Sequence, residues 1–372
     1  MRVSKAAVLV GPRAIEVQEF PRPPAGDMDG WLKVDACGVC ASDLPLWRGE
    51  VRGELPVVLG HEIAGTVDDL GDGARARWGV SEGDRVILER WIPCGHCELC
   101  YTGRYRMCKP LVDGHRRFYG GAPTALAPAL WGGFAEHVYL SEDTVLYPVS
   151  PDVPAHYLPL FTPLANSISW LQQAGVRPGS TVLIQGPGQE GLCAVIAAAQ
   201  LGADHITVIG LPRDRIRLDI AKRLGARATL VAGEDDVVEG VRELTGGRMA
   251  DCVLDVTSSA DASPVATAVR AAAVSGTLIL AAEHSDPRID VSTDEVIRKA
   301  LTIKGVFGRD RQSIHAALRL IERDPERFAP LATHVLPLAQ TGEALDLLGG
   351  AAVADAIHIS VVPGDDDGQH RA

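Results

Sequence analysis

Four cysteines constrain this chain more than any other feature. Cys94-Gly-His-Cys97-Glu-Leu-Cys100, closed after seven further residues by Cys108, has the spacing C-x2-C-x2-C-x7-C. Four thiolates this close in sequence can surround one tetrahedral zinc at about 2.3 Å each. Gly95 and Gly103 let the backbone bend around the ion. A site closed by four sulfurs leaves no coordination position for a substrate, so this lobe shapes the protein and leaves the chemistry to other residues.

The remaining composition narrows the class. A chain of 372 residues, 46% hydrophobic, can build two cores of ordinary size. Net charge is -12 with no basic run, which argues against nucleic acid or an anionic membrane as partner. No apolar stretch reaches the length of a membrane span, and the N-terminus lacks the apolar core of a signal peptide. Of the 8 cysteines, Cys37, Cys40, Cys193 and Cys252 are scattered. That pattern predicts reduced thiols, a bound metal and a cytoplasmic location.

Residues 1 to about 155 consist of short apolar runs broken by Gly, Pro and Asp, such as Trp31–Ala36, Ile63–Val67, Asp84–Leu88 and Phe134–Leu140. They predict a β-rich, barrel-like unit with turns at Gly71–Gly73 and Glu82–Asp84. After Pro163 the pattern changes to alternating strands and helices. Strands are expected at Ser180–Gln185, Ile206–Ile209, Ala228–Val231, Cys252–Val256, Thr277–Leu280 and Leu301–Val306, with helices such as Leu192–Leu201 and Arg213–Leu224 between them. This is the signature of an α/β doubly wound parallel sheet. Helices Ser313–Arg323 and Thr341–Leu348 and a last strand Ala356–Val362 follow, and the polar tail Pro363–Ala372 is expected to be disordered.

The first of those strands runs into Gly186-Pro-Gly188-Gln-Glu-Gly191 and then a helix. In a G-x-G-x-x-G turn of this kind Gly186 makes the tight turn, Gly188 admits a pyrophosphate, and Gly191 lets helix and strand approach. The context predicts dinucleotide binding. At the end of the second strand, where a carboxylate would hold the adenosine ribose, stands Gly210, followed by Arg213 and Arg215. Room and positive charge there tilt the expectation from NAD toward NADP.

Two signals precede the lobe: Cys37-Gly-Val-Cys40-Ala-Ser42-Asp43 and Gly60-His61-Glu62-x-x-Gly65. Cys40 and His61 are donors that suit zinc. Asp43 is suited to hold the other nitrogen of His61 and fix its tautomer.

Taken together, these motifs make the sequence resemble the zinc-containing medium-chain dehydrogenase/reductase superfamily, the alcohol and polyol dehydrogenases. The resemblance runs from the first strand to about residue 362. It implies a GroES-like catalytic domain over 1–162, a Rossmann domain over 163–307, and C-terminal segments over 308–372 that complete the catalytic domain. It also implies a catalytic zinc on Cys40, His61 and Glu62, a proton relay beginning at Ser42, and a structural zinc on Cys94, Cys97, Cys100 and Cys108. A homodimer or homotetramer follows from the same resemblance. The expected reaction is reversible hydride transfer between a secondary alcohol or polyol, or the matching carbonyl, and NAD(P), with zinc as Lewis acid.

Some positions depart from the family pattern. Thr162-Pro163-Leu164 stands where another zinc ligand often precedes a Pro-Leu pair, Pro45 replaces a relay histidine, and Glu190 replaces an apolar residue in the Gly-rich turn. If Thr162 marks a lost catalytic zinc, the alternative is a zinc-independent, NADPH-dependent reductase of activated alkenes, or non-redox chemistry on the same fold. A non-enzymatic nucleotide-binding protein is a third reading, opposed by the retention of Cys40, Ser42, His61 and Glu62. For the substrate, Arg90, the run His115-Arg116-Arg117, Trp47 and Trp91 are candidates, the cations for an anionic group and the indoles as pocket walls.

Overall fold

Strand Gly30–Gly38 is the spine of the first unit because apolar residues face both of its sides: seven of its nine residues are buried. It pairs antiparallel with Glu62–Leu70, in a register from Gly30 opposite Leu70 to Gly38 opposite Glu62. Around it, in the computed structural model, runs a seven-stranded sheet in the order Leu146–Pro148, Arg85–Leu88, Glu62–Leu70, Gly30–Gly38, His358–Val362, Ala332–Pro337, with His137–Leu140 also pairing to the spine. A three-stranded sheet orders Ala14–Arg22, Arg2–Gly11 and Val57–Val58. One core, including Trp31, Leu32, Ile63, Leu88 and Phe134, fills the space between these elements. The residues described are 2–109, 111–112, 115–258, 263–284, 291–350 and 355–364. Most of the tail expected to be disordered, from 365 onward, lies outside them.

The chain divides into two compact units, Met1–Phe161 with Leu318–Ala372, and Thr162–Ala317. The segment 308–317 thus belongs to the second unit, and the return to the first begins inside helix Arg311–Arg323.

In the second unit a six-stranded sheet runs Ala228–Val231, His205–Gly210, Thr181–Gln185, Ala250–Asp255, Ala272–Leu280, Thr302–Gly305, and every pair is parallel. Numbered along the chain this is the order 3-2-1-4-5-6 of the Rossmann fold, with the reversal between the first and fourth strands. Both of those strands are almost wholly buried, and each is centred on a three-residue apolar run, Val182–Ile184 and Cys252–Leu254.

Several local expectations needed correction. Residues 71–73 open a helix, Asp72–Trp78, instead of a turn. Gly71 stands at its N-cap, Asp27 accepts the Gly73 N–H at 3.0 Å, Ala74 is buried, and Gly79 ends it in the left-handed conformation. The fifth sheet strand begins at Ala272, earlier than Thr277, because helix Ser263–Ala271 feeds into it directly. A short helix, Thr293–Arg298, capped by the Ser292 side chain, had no periodic apolar signal to reveal it.

Candidate metal centres and dinucleotide turn

The pairing register of the spine brings together residues that are far apart in sequence. Gly38 lies opposite Glu62, so Cys40, just past one strand end, meets His61, just before the start of the other. One donor atom from each of Cys40, His61 and Glu62 lies within 4.8 Å of the others. His61 and Glu62 are buried and Cys40 is half-buried. Asp43 Oδ1 sits 3.2 Å from His61 Nδ1, and its other oxygen accepts the Cys40 N–H at 3.1 Å. A carboxylate this close favours a proton on Nδ1 and leaves the Nε2 lone pair toward the cluster, although the approach is not a well-aligned hydrogen bond. Ser42 Oγ is 3.4 Å from Cys40 Sγ and 3.4 Å from His61 Nε2.

Gly38 is required here by close approach. A Cβ on it would overlap Glu62 Oε2 and come within 2.6 Å of His358 Cε1. His358 itself is buried, and burial, then the nearby His156, holds its imidazole down to about 3, so it stays neutral. The sequence carried no sign of this histidine beyond a strand residue. Burial, then the charges of Glu62 and Asp43, pushes the Cys40 thiol well above its usual range. A divalent cation would reverse that balance, and a soft sulfur, an imidazole and a carboxylate form a donor set that fits zinc and leaves a position open.

The lobe presents a second cluster, Cys94, Cys97, Cys100 and Cys108. Its sulfurs stand 3.5 Å (Cys94–Cys108), 3.5 Å (Cys97–Cys100) and 4.0 Å (Cys94–Cys100) apart. Four sulfurs at about 2.3 Å around one tetrahedral ion would be about 3.8 Å apart. All eight thiols are free, so no disulfide competes for these positions.

In the second unit, Gln185 runs into the Gly-rich turn and helix Gln189–Gln200. Gly186 has φ +100°, and a Cβ on Gly191 would overlap the Gly186 carbonyl oxygen. A Cβ on Gly188 would meet nothing within 4 Å, and Gly188 caps the helix without a side-chain hydrogen bond. An open concavity at a helix N-terminus fits a pyrophosphate. Gly210 is more tightly packed than the room expected from the sequence: a Cβ would come within 3.0 Å of Pro187 and 3.1 Å of Asp214 and Leu218, so those side chains would have to give by a few tenths of an ångström. Of the two arginines beyond it, Arg215 pairs with Glu234 at 2.5 Å, while Arg213 is exposed.

Sequence reasoning overlooked Asp255. It is buried opposite Gln185, beside the turn, accepting from Thr257 Oγ1 at 2.7 Å and lying 3.0 Å from His284 Nε2. Its place at the carboxyl end of a strand at the reversal point was the available signal. Glu190 accepts from Asn166 Nδ2 at 3.1 Å. Burial raises its carboxyl to about 7, against the lowering effects of Asn166 and Arg309. Thr162 is buried in helix Phe161–Gln173, and its hydroxyl has no hydrogen-bond partner among the described residues.

The substrate candidates separate in the same way. Trp47 is 3% exposed and donates to Asp346 at 3.1 Å, so it is a core residue and no pocket wall. Arg117 binds Asp143 at 2.7 Å, while the side chains of His115 and Arg116 lie outside the described residues. Arg90 stands at the cluster: Nη1 is 3.4 Å from His61 Nε2 and 3.5 Å from Ser42 Oγ.

Comparison with known proteins identifies the family. Residues 26–151 match the alcohol dehydrogenase GroES-like domain, and residues 191–323 match the zinc-binding dehydrogenase family. The chain is 37% identical over 352 residues to the "Probable alcohol dehydrogenase adh" of Mycobacterium tuberculosis, covering 94% of this chain and 95% of that protein. It belongs to the zinc-containing medium-chain dehydrogenase/reductase superfamily. Sorbitol dehydrogenase of Bombyx mori is 30% identical, covering 96% of this chain and 99% of its own length. Among solved structures, a candidate zinc-binding dehydrogenase of Sinorhizobium meliloti 1021, bound to NADP, superposes with a TM-score of 0.85 at 26% identity, covering 98% of this chain and all of that one. This dehydrogenase is an alcohol dehydrogenase-like oxidoreductase that depends on zinc and a nicotinamide cofactor. No described helix is long and apolar enough to cross a membrane.

Proposed function

We propose that Cys40, His61 and Glu62 hold the catalytic zinc of a reversible dehydrogenase acting on secondary alcohols or polyols, and that Cys94, Cys97, Cys100 and Cys108 hold a structural zinc. The observation that carries the reading is the convergence of three zinc-type donors within 4.8 Å, with Asp43 fixing the histidine tautomer from behind. When bound, zinc supplies Lewis acidity at the substrate oxygen and the nicotinamide exchanges the hydride. The chain's own residues do the remaining work. Asp43 keeps a proton on His61 Nδ1. The Ser42 hydroxyl, 3.4 Å from both Cys40 Sγ and His61 Nε2, is positioned to take the proton of a substrate hydroxyl bound beside it. Pro45 has no proton to pass on, so the relay from Ser42 leaves through solvent or the cofactor ribose.

The Gly186–Gly191 turn binds the pyrophosphate of the dinucleotide. The absence of an acid at Gly210 and an exposed Arg213 beyond it support a preference for NADP, although the packing around Gly210 offers less room than the sequence suggested. The assembly is read as a homodimer or homotetramer acting in the cytoplasm. Zinc analysis of the purified chain, combined with turnover of alcohols and polyols in NAD and in NADP, tests this function. Two zinc ions per chain and alcohol-dependent reduction of NADP are expected. One zinc per chain without alcohol turnover would transfer the case to the zinc-independent reductase.

A further inference from the structure

Glu190 puts a carboxyl at the helix end that receives the phosphates. It is the second residue of helix Gln189–Gln200, inside the turn Gly186–Gly191. The first bond of that helix runs from the Leu192 N–H to the Gly188 carbonyl at 2.9 Å. The N–H groups of Gln189, Glu190 and Gly191 therefore have no helical acceptor one turn back, and these are the donors that a helix N-terminus offers to a phosphate. A pyrophosphate held by them lies within reach of the charge on the Glu190 side chain.

That side chain is fixed and kept from water. Oε1 accepts from Asn166 Nδ2 at 3.1 Å, and the Ser167 hydroxyl donates to the Glu190 carbonyl at 3.1 Å. Oε2 is buried and has no hydrogen-bond partner among the described residues. Asn166, 8% exposed, has an unpartnered Oδ1 of its own. Helix Phe161–Gln173 thus faces the carboxyl with two neutral groups, Asn166 and Ser167. One turn along its own helix stands Cys193, a buried thiol. The charge that acts on it is Arg309, which favours the ionised form. Burial outweighs Arg309 and Asn166 and raises the carboxyl to about 7. Near neutral pH the unliganded protein therefore holds both forms, and phosphates of the same sign as the ionised one draw it toward the neutral one.

We propose that dinucleotide binding is coupled to the uptake of a proton by Glu190, so that the phosphates are held by the form in which this carboxyl is uncharged. The coupling rests on the Gly186–Gly191 turn being the pyrophosphate site, and it adds a control on that site: loss of the proton at alkaline pH promotes cofactor release. The sign follows from linkage. Bound phosphates raise the carboxyl further, so affinity is full below the free-protein value, falls as pH rises past it, and levels off above the bound-state value. One added charge about 8–10 Å away, at an effective dielectric constant of about 20, corresponds to about 10–30-fold in the binding constant.

The test is calorimetric titration of the full-length protein with ADP-ribose in buffers of different ionisation enthalpy, between about pH 6 and pH 9, which reads affinity and proton uptake together. ADP-ribose carries the pyrophosphate but neither the nicotinamide charge nor a 2′-phosphate, so no ligand group titrates in this range. The wild-type protein should take up a fraction of a proton above neutral pH, with affinity about 10–30-fold weaker at the alkaline end. Glu190→Gln should take up none and should keep the low-pH affinity throughout. The same difference between the two proteins is read with NADPH, whose 2′-phosphate contributes equally to both. Binding by the wild-type protein without proton uptake would overturn the coupling, as would an equal uptake in Glu190→Gln. Absence of binding of both ligands at every pH would instead refute the pyrophosphate site on which the coupling rests.

Discussion

Glu190 gives a prediction whose size can be worked from the structure. Its carboxyl stands in the Gly-rich turn, at the first turn of helix Gln189–Gln200. Oε1 accepts from Asn166 Nδ2 at 3.1 Å, and Oε2 is out of contact with solvent and makes no hydrogen bond among the described residues. Burial opposes the charged form and raises the group from the usual 4.5 to about 7. The native state therefore holds its proton more tightly than the unfolded chain, and stability falls as pH rises between those two values. Below both, no difference remains, and above both, the full penalty is present. A shift of about 2.5 units corresponds to about 3 kcal/mol, of which about 2.5 kcal/mol develops between pH 5 and pH 8.

Glu190→Gln keeps the shape and the oxygen that Asn166 needs, but it cannot ionise. The cofactor-free variant should unfold at nearly the wild-type temperature at pH 5 and about 5–10 °C above it at pH 8, on the scale of about 2–4 °C per kcal/mol for a unit of this size. Scanning calorimetry or tryptophan fluorescence at half-unit pH steps measures the gap. If the gap stayed constant from pH 5 to pH 8, whatever its size, the carboxyl would not be titrating there and the burial argument would be wrong.

Other outcomes can be checked alongside. Cys100→Ser should lower the melting temperature and the zinc content of the chain together, because zinc bound by the lobe contributes its binding energy to folding; a normal melting temperature at full zinc content would refute the structural assignment. His61→Ala should abolish alcohol oxidation while fluorescence titration still shows NADPH bound, and retained turnover in a zinc-stripped sample would contradict the Lewis-acid reading. Gly38→Ala should push Glu62 or His358 aside, destabilise the first unit by about 1–3 kcal/mol as overpacked cores do, and weaken zinc binding at the Cys40 cluster; unaltered zinc affinity in equilibrium dialysis would show that Glu62 need not lie where the glycine allows it.

How much of this was legible beforehand depends on the range of the interaction that decides each feature. The lobe and the Gly-rich turn are local: their ligands or glycines lie within fifteen residues, so spacing alone describes them. The parallel sheet was legible because the buried strands are centred on short apolar runs, and the helices between them repeat. Trp47 was misjudged as a pocket wall, and Arg90 was one cation among several, because the decision in both cases is tertiary. Trp47 is buried in the core of the first unit and bonds to Asp346, 299 positions away. Arg90 differs from Arg117 in what it meets: Trp91, Phe118 and His61 for one, Asp143 for the other. Periodicity carries no information about such partners.

The same reasoning explains why the proposed metal cluster depends on a residue that donates nothing to it. A slip of one residue between Gly30–Gly38 and Glu62–Leu70 would turn Glu62 to the opposite face of the sheet and separate it from Cys40. The register is held along the whole spine, by Trp31, Leu32 and Val34 on one strand and Ile63 and Val67 on the other, all within the same core. Gly38 then removes the one Cβ that would block the carboxylate at the end of that ladder. Donor chemistry and donor position thus have separate origins: Cys40, His61 and Glu62 supply the first, and a correctly registered, glycine-terminated strand pair supplies the second. Substitutions along the spine that leave every ligand in place should for that reason still lower metal affinity, in proportion to how far they loosen the pairing near Gly38.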